Sequence, residues 1–138
     1  MQKIVLQAKG VTKRFGGITA LENAELEVRE GEVHALVGAN GAGKSTLIKI
    51  ITGAYTNDEG HIYLDGKEVS IKSTFDARAL GISAVYQEFS LINTVSVAEN
   101  IYMGKLLYNN LGPVPRVDWK KMNEETQKLL DSLGVKNI

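Results

Sequence analysis

The 138-residue chain has no cysteine, which excludes a disulfide scaffold, a thiol nucleophile and a cysteine-based zinc site. Its two histidines, His34 and His61, are too few and too isolated to suggest a metal cluster. No run of about 20 apolar residues occurs, so no segment is long enough to span a bilayer. The opening residues, Met1 to Gln7, turn polar too early for a secretory signal, and the expected location is the cytoplasm. There is no excess of one charge either: sixteen Lys and Arg balance sixteen Asp and Glu. That balance argues against a basic nucleic-acid-binding domain and leaves room for a local anion site. With 43% apolar and 23% charged residues, the chain has the composition of one modest folded domain.

Glycine is a little abundant, at fourteen residues, and its placement divides the chain. Ile4 to Ala8 reads as a strand, and the stretch Val11 to Phe15 leads into a Gly16-Gly17 turn. Ala20 to Val28 alternates apolar and polar, the pattern of a strand with one solvated face. Val33-His34-Ala35-Leu36-Val37 is nearly all apolar and predicts a strand buried on both faces, as in a parallel sheet, with His34 a buried packing residue. Lys44 to Thr52 predicts a helix with apolar positions 47, 48, 50 and 51, ending at Gly53. Residues 61–71 predict a hairpin about Asp65-Gly66, with His61 exposed. Ser73 to Asp76 has capping-box spacing for a short helix closed by Gly81, and Ile82 to Tyr86 reads as another strand. Ser96 to Glu99 is a second capping box, opening a helix through about Met103. Residues 109–115 have loop chemistry, and Asp118 caps a helix whose stripe Trp119, Met122, Leu129, Leu130, Leu133 is expected in the core.

Between the Val33–Val37 run and the following helix lies Gly38-Ala39-Asn40-Gly41-Ala42-Gly43-Lys44-Ser45, a full match to G-x-x-x-x-G-K-[ST] in the strand-to-helix setting it requires. Glycines let main-chain N–H groups turn inward around a phosphate, and the helix beginning near Lys44 aims its positive end at the same anion. In this reading Lys44 meets the β- and γ-phosphates, Ser45 puts its hydroxyl on Mg²⁺, and Thr46 adds a polar contact near the α- and β-phosphates. The alternative is a flexible glycine-rich turn with an exposed lysine. Hydrolysis also needs an acidic residue at the end of an apolar strand. The one candidate, Asp65, reads better as a turn residue.

The run GANGAGKSTLIKIITGAYTNDEGHIYLDGKEV, with GISAVYQEFSLINTVSVAENIYMG after it, resembles the nucleotide-binding subunit of ABC transporters, in particular bacterial monosaccharide importers of the ribose, galactose and xylose type. The likeness covers nearly the whole chain. It implies an α/β fold, a P-loop NTPase of ABC type in truncated form. Residues 1–90 would carry an antiparallel β subdomain and part of the core sheet around the P-loop, and residues 91–138 the start of the helical subdomain. It implies ATP and Mg²⁺ as ligands. Gly38, Asn40, Gly41, Ala42, Gly43, Lys44, Ser45 and Thr46 would hold the phosphates and Phe15 would stack on the adenine, the alternative for Phe15 being a core aromatic. Gln87 matches the glutamine that touches Mg²⁺ and the attacking water, giving Lys44 and Gln87 as catalytic residues and Ser45 and Gln87 as metal contacts. Residues 88–100 would receive the coupling helix of a membrane permease.

The implied function is ATP-driven sugar import from the cytoplasmic face of the cell membrane. The implied partners are transmembrane permease subunits, a second cassette (in the same chain or as a homodimer) and, indirectly, a periplasmic or extracellular sugar-binding protein, with no nucleic acid. The family's LSGGQ-like signature, its apolar strand ending in Asp-Glu and its switch histidine do not occur before Ile138. The likeness therefore implies the front part of a first cassette, with strand edges near Val33–Val37 or Ile82–Tyr86 left open to association. Two other classes stay open: a small P-loop phosphotransferase, for which Arg78 and Arg116 make a sparse lid, and a nucleotide-binding module that does not hydrolyse. The 138-residue chain alone is expected to bind ATP–Mg²⁺ weakly if at all and to show little or no hydrolysis, because it lacks the Mg²⁺ carboxylate and the catalytic glutamate. A robust turnover abolished by replacing Lys44 would overturn this expectation.

Overall fold

Two tight turns organise the first half of the chain. A computed structural model describes residues 2–85, 91–109 and 114–135, and the chain divides into two units, Met1–Val85 and Tyr86–Ile138. In the first unit, β1 (Ile4–Phe15) and β2 (Ile18–Arg29) pair antiparallel across Gly16-Gly17, with Phe15 opposite Ile18. β3 (Glu59–Leu64) and β4 (Lys67–Val69) pair across Asp65-Gly66, whose φ values of 49° and 75° make the two-residue turn that suits strand twist. The sheet order is β2-β1-β3-β4, antiparallel throughout. Asp65 is a turn residue, as read, and its carboxylate pairs with Lys3 at 2.6 Å. Both long strands exceed their sequence-based limits. β1 continues past Ala8 because a register shift between Ala8 and Val11 absorbs Gly10.

One face of this sheet is covered by α1 (Lys44–Ile51), which buries Leu47, Ile50 and Ile51 against Ala8, Val11, Leu21, Leu26 and Ile62. Each such side chain contributes about 1.5–3 kcal/mol. Ile48, expected on the same face, is 40% exposed. α1 ends in a tight exit: the amides of Ala54 and Tyr55 both donate to the Lys49 carbonyl, at 2.8 and 3.0 Å. Gly53, at φ 75°, lies so close to α2 (Thr74–Ala79) that a β-carbon there would fall 2.2 Å from the Ser73 carbonyl oxygen. Ser73 caps α2 by accepting from the Asp76 amide, and Gly81 closes it. The His61 side chain is exposed and pairs with Glu68 at 2.7 Å, in keeping with its predicted place on the solvent side.

The Val33–Val37 run departs from expectation. It forms no strand, Val33 and Val37 are 99% and 89% exposed, and His34 is exposed with its ring nitrogen 2.8 Å from Glu32. Residues 82–85 likewise join no ladder, and Val85 is fully exposed. The rest of that predicted strand, Tyr86, lies outside the described residues. The physical reason is the same for both. A strand apolar on both faces is stabilised only by flanking parallel strands and the helices that cover them, and every ladder among the described residues is antiparallel.

In the second unit, α3 (Val97–Ile101) opens with the predicted reciprocal cap: Ser96 Oγ accepts from the Glu99 amide and Glu99 Oε2 accepts from the Ser96 amide, at 3.2 and 2.8 Å. It ends at Ile101, two residues before the predicted Met103. The Asn100 amide side chain fastens the preceding loop, accepting from the Ile92 amide (2.9 Å) and donating to the Ile92 and Ser96 carbonyls (both 3.1 Å). β5 (Tyr108–Asn109) and β6 (Arg116–Val117) form a two-residue ladder that the sequence pattern did not indicate. α4 (Trp119–Ser132) is capped by Asp118 as predicted. Its expected core stripe is only partly buried: Met122 is fully enclosed and Thr126 is buried, while Trp119, Leu129 and Leu133 are exposed. α3, which packs on α4, rises only about 7.5 Å against about 21 Å for α4, so it covers one stretch of the stripe and not the whole.

Gly53→Ala should destabilise the first unit by roughly 2–4 kcal/mol, from a left-handed backbone plus a clash. Gly81→Ala, with open space around it, should cost only about 1 kcal/mol. Urea unfolding followed by circular dichroism checks this, and equal losses in the two variants contradict it. The Asp58 carboxyl is held below the usual aspartate range by the Lys13 ammonium and then by the Arg14 amide. Its stabilising contribution is therefore complete above the ordinary aspartate pKa and is lost as pH falls through the depressed folded value. Asp58→Asn should flatten the acid limb of the stability profile below about pH 4; superimposable acid limbs would contradict the assignment.

Candidate functional site

Helix ends single out one place in the first unit. α2, α3 and α4 each have a side chain (Ser73, Ser96, Asp118) that accepts from a first-turn amide. α1 has none. Its N-cap is Gly43, at φ 84°, and its first turn carries no acidic residue. The first bond back to the cap runs from the Leu47 amide to the Gly43 carbonyl, at 2.9 Å, so the amides of Lys44, Ser45 and Thr46 have no acceptor within the helix. An uncapped helix start of this kind is a natural anion seat.

The residues before it shape the approach. Gly43 is buried, and a β-carbon there would lie 2.7 Å from Leu21 Cδ1 and 2.9 Å from the Ala20 carbonyl oxygen. Only glycine lets the loop exit press this closely on β2. Gly41 also has positive φ, at 83°, and the Ala42 amide donates to the Ala39 carbonyl at 3.2 Å to close the turn between them. The Lys44 ammonium folds back over the loop and donates to the Gly38 and Ala39 carbonyls, at 2.6 and 2.7 Å. A cleft of about 440 Å³ opens here, lined by Ile18, Thr19 and Ala20 of β2 and by residues 40–46. The structure thus brings Asn40, Gly41, Ala42, Gly43, Lys44, Ser45 and Thr46 together on one cleft, with Gly38 joined to it through Lys44.

Phe15 ends β1 directly across the hairpin from Ile18, and residues paired this way project from the same face of the sheet. The residue is 40% exposed, so it is not part of the buried core. It meets the Tyr55 ring edge-to-face, centroids 5.0 Å apart, with the Lys13 ammonium 5.5 Å from its centre. Gln87 and Glu88 lie outside the described residues. The cleft wall formed by Ile18, Thr19 and Ala20 was not anticipated from the sequence. The Gly16-Gly17 turn could have indicated it, since a two-residue hairpin fixes which residues face Phe15. Tyr55 had no comparable signal, because only the tertiary path of the α1–β3 connection brings it to Phe15. Among the described residues no group of three His, Asp or Glu is placed to hold a metal. Ser45 stands exposed at the helix start, a setting that suits Mg²⁺, which takes few protein ligands and fills its shell with phosphate and water.

The glycine loop, the uncapped helix and the lysine define the P-loop class of phosphate-binding folds. Within that class, the family model for ABC transporters matches residues 21–138, and the chain belongs to the ABC transporter family. It is 46% identical over 131 residues to the ribose import ATP-binding protein RbsA of Caldanaerobacter subterraneus, covering 95% of this chain and 26% of that protein. It is 42% identical to the xylose import ATP-binding protein XylG of Geobacillus kaustophilus, covering 98% and 26%. The chain thus spans about a quarter of the length of the curated relatives it matches. Among solved structures it is similar to a nucleotide-free ATP-binding cassette of an ABC transporter, with a TM-score of 0.75 and 30% identity over 96% of this chain and 55% of that one. It is also similar to the ADP conformation of the cassette MJ1267, with a TM-score of 0.70 and 27% identity over 96% of this chain and 54% of that one. The fold is accordingly that of the ABC cassette, of which the antiparallel sheet and the P-loop helix are formed here. No helix among the described residues is long and apolar enough to cross a membrane.

Proposed function

We propose that the chain is the nucleotide-binding part of an ATP-binding subunit that drives sugar import, a monosaccharide being the substrate class. The reading rests above all on the start of α1, where three main-chain amides and Lys44 converge on one cleft with no protein carboxylate or hydroxyl capping them. A triphosphate supplies the acceptors that such a cluster of donors requires. Lys44 would bind the β- and γ-phosphates, Ser45 would put its hydroxyl on Mg²⁺, and Phe15 would offer its exposed face to the adenine. The names of the relatives support the sugar-import assignment.

In the same reading Gln87 would contact Mg²⁺ and the attacking water, and residues 88–100 would receive a permease helix. Of that segment the described part shows exposed Leu91 and Ile92 and the loop fastened by Asn100. The subunit works at the cytoplasmic face of the membrane with permease subunits and a second cassette, and indirectly with a sugar-binding protein outside. Residues 1–138 supply the P-loop side of an ATP sandwich and depend on signature and acidic residues from elsewhere for turnover.

Equilibrium titration of the full-length protein with ATP tests the reading. Lys44→Ala removes a charge-assisted hydrogen bond and should weaken ATP binding by about ten- to a hundredfold. An affinity equal to wild type would sink the proposal.

A further inference from the structure

The connection between α1 and β3 is fastened at both ends. At the helix end, the amides of Ala54 and Tyr55 donate to the Lys49 carbonyl. At the strand end, the Asp58 amide donates to the Thr12 carbonyl at 2.9 Å, and the Asp58 carboxylate accepts from Lys13 Nζ and the Arg14 amide at 2.8 and 2.7 Å. A connection held this way places its one aromatic residue, Tyr55, against Phe15 with ring planes at 67°. On its own side, Tyr55 has the Lys49 ammonium 5.2 Å from its ring centre. Lys13, largely buried at 13% side-chain exposure and fixed by Asp58, adds the second contact to the Phe15 ring.

Phe15 needs such support. It sits beside a glycine-glycine turn, 40% exposed, and a ring in that position with no neighbours would sample several rotamers. A stacking platform contributes to affinity only as far as it is held ready before the ligand arrives. We infer that Tyr55 is a positioning residue of the nucleobase platform: its ring holds Phe15 in the stacking orientation, with the Asp58–Lys13 pair as a second brace. The inference rests on the reading of Phe15 as the platform for the base. It also gives α1 two tasks. The start of the helix receives phosphate, and its end, through the Lys49 carbonyl, fixes the residue that orients the base platform. One short rigid element therefore sets the spacing between the two ends of the site.

The test compares two ligands on the full-length protein: ATP, and tripolyphosphate, which keeps the phosphates and lacks the base. Tyr55→Leu and Tyr55→Met should weaken ATP binding about three- to tenfold, the range expected for one aromatic pair, and leave tripolyphosphate affinity unchanged. Tyr55→Phe, which keeps the ring, should recover the ATP affinity. Should neither aliphatic variant fold, Lys13→Met should show the same split between the ligands. Unchanged ATP affinity in Tyr55→Leu, alongside a loss in Phe15→Ala, overturns the positioning role and leaves the platform intact. Unchanged affinity in Phe15→Ala, alongside a loss in Lys44→Ala, removes the platform and the inference with it. Equal weakening of both ligands by the Tyr55 variants also overturns the inference, since it marks general damage to the unit.

Discussion

The approach of Gly43 to β2 is the contact on which the rest of the site depends. At that point a loop with no side chains to spare meets the Ala20 carbonyl and the Leu21 side chain at distances that exclude any β-carbon. The contact seats the start of α1 on the sheet, and Leu47, Ile50 and Ile51 then complete the seal along its length. Burial fixes the helix, and the helix in turn fixes where its free amides point. The cleft is bounded on two sides by elements that the core already holds, β2 and the start of α1, with the glycine loop as its third wall.

The charged residues of the first unit mostly do local work. Lys3 pairs with the Asp65 turn, Arg14 with Glu59, and Lys13 with Asp58. These pairs are exposed to different degrees, and surface pairs of this sort add little stability. Their value lies in register and loop placement. The Lys13–Asp58 pair is the clearest case, because it joins the end of β1 to the connection that carries Tyr55. Lys44 stands apart from this pattern, since its ammonium bonds to two main-chain carbonyls and to no carboxylate.

Local chemistry was legible in the sequence and distant packing was not. The turn at Asp65-Gly66, the caps at Ser73, Ser96 and Asp118, and the glycine turns at Gly41 and Gly43 are all specified within a few residues, and each appears where its pattern indicated. β1 was read too short because a bulge at Gly10 interrupts its alternation without ending it. Val33–Val37 has the composition of a central strand, but its burial depends on neighbours that no local pattern describes. The α4 stripe has helical periodicity, which identifies a face without stating how much of that face a partner covers. Tyr55 has no local signal for the same reason: its meaning comes from Phe15, forty residues earlier in the chain.

The fold-back of Lys44 has a kinetic consequence. Because the ammonium already rests on the Gly38 and Ala39 carbonyls, the loop is tied to its own side chain. On the proposed reading, an entering phosphate would draw that side chain from neutral acceptors to charged ones. Such a rotation belongs to the picosecond-to-nanosecond regime of side-chain motion, whereas loop motions extend from nanoseconds to microseconds. The movement asked of Lys44 is therefore a side-chain rotation, with no new backbone path required of that residue.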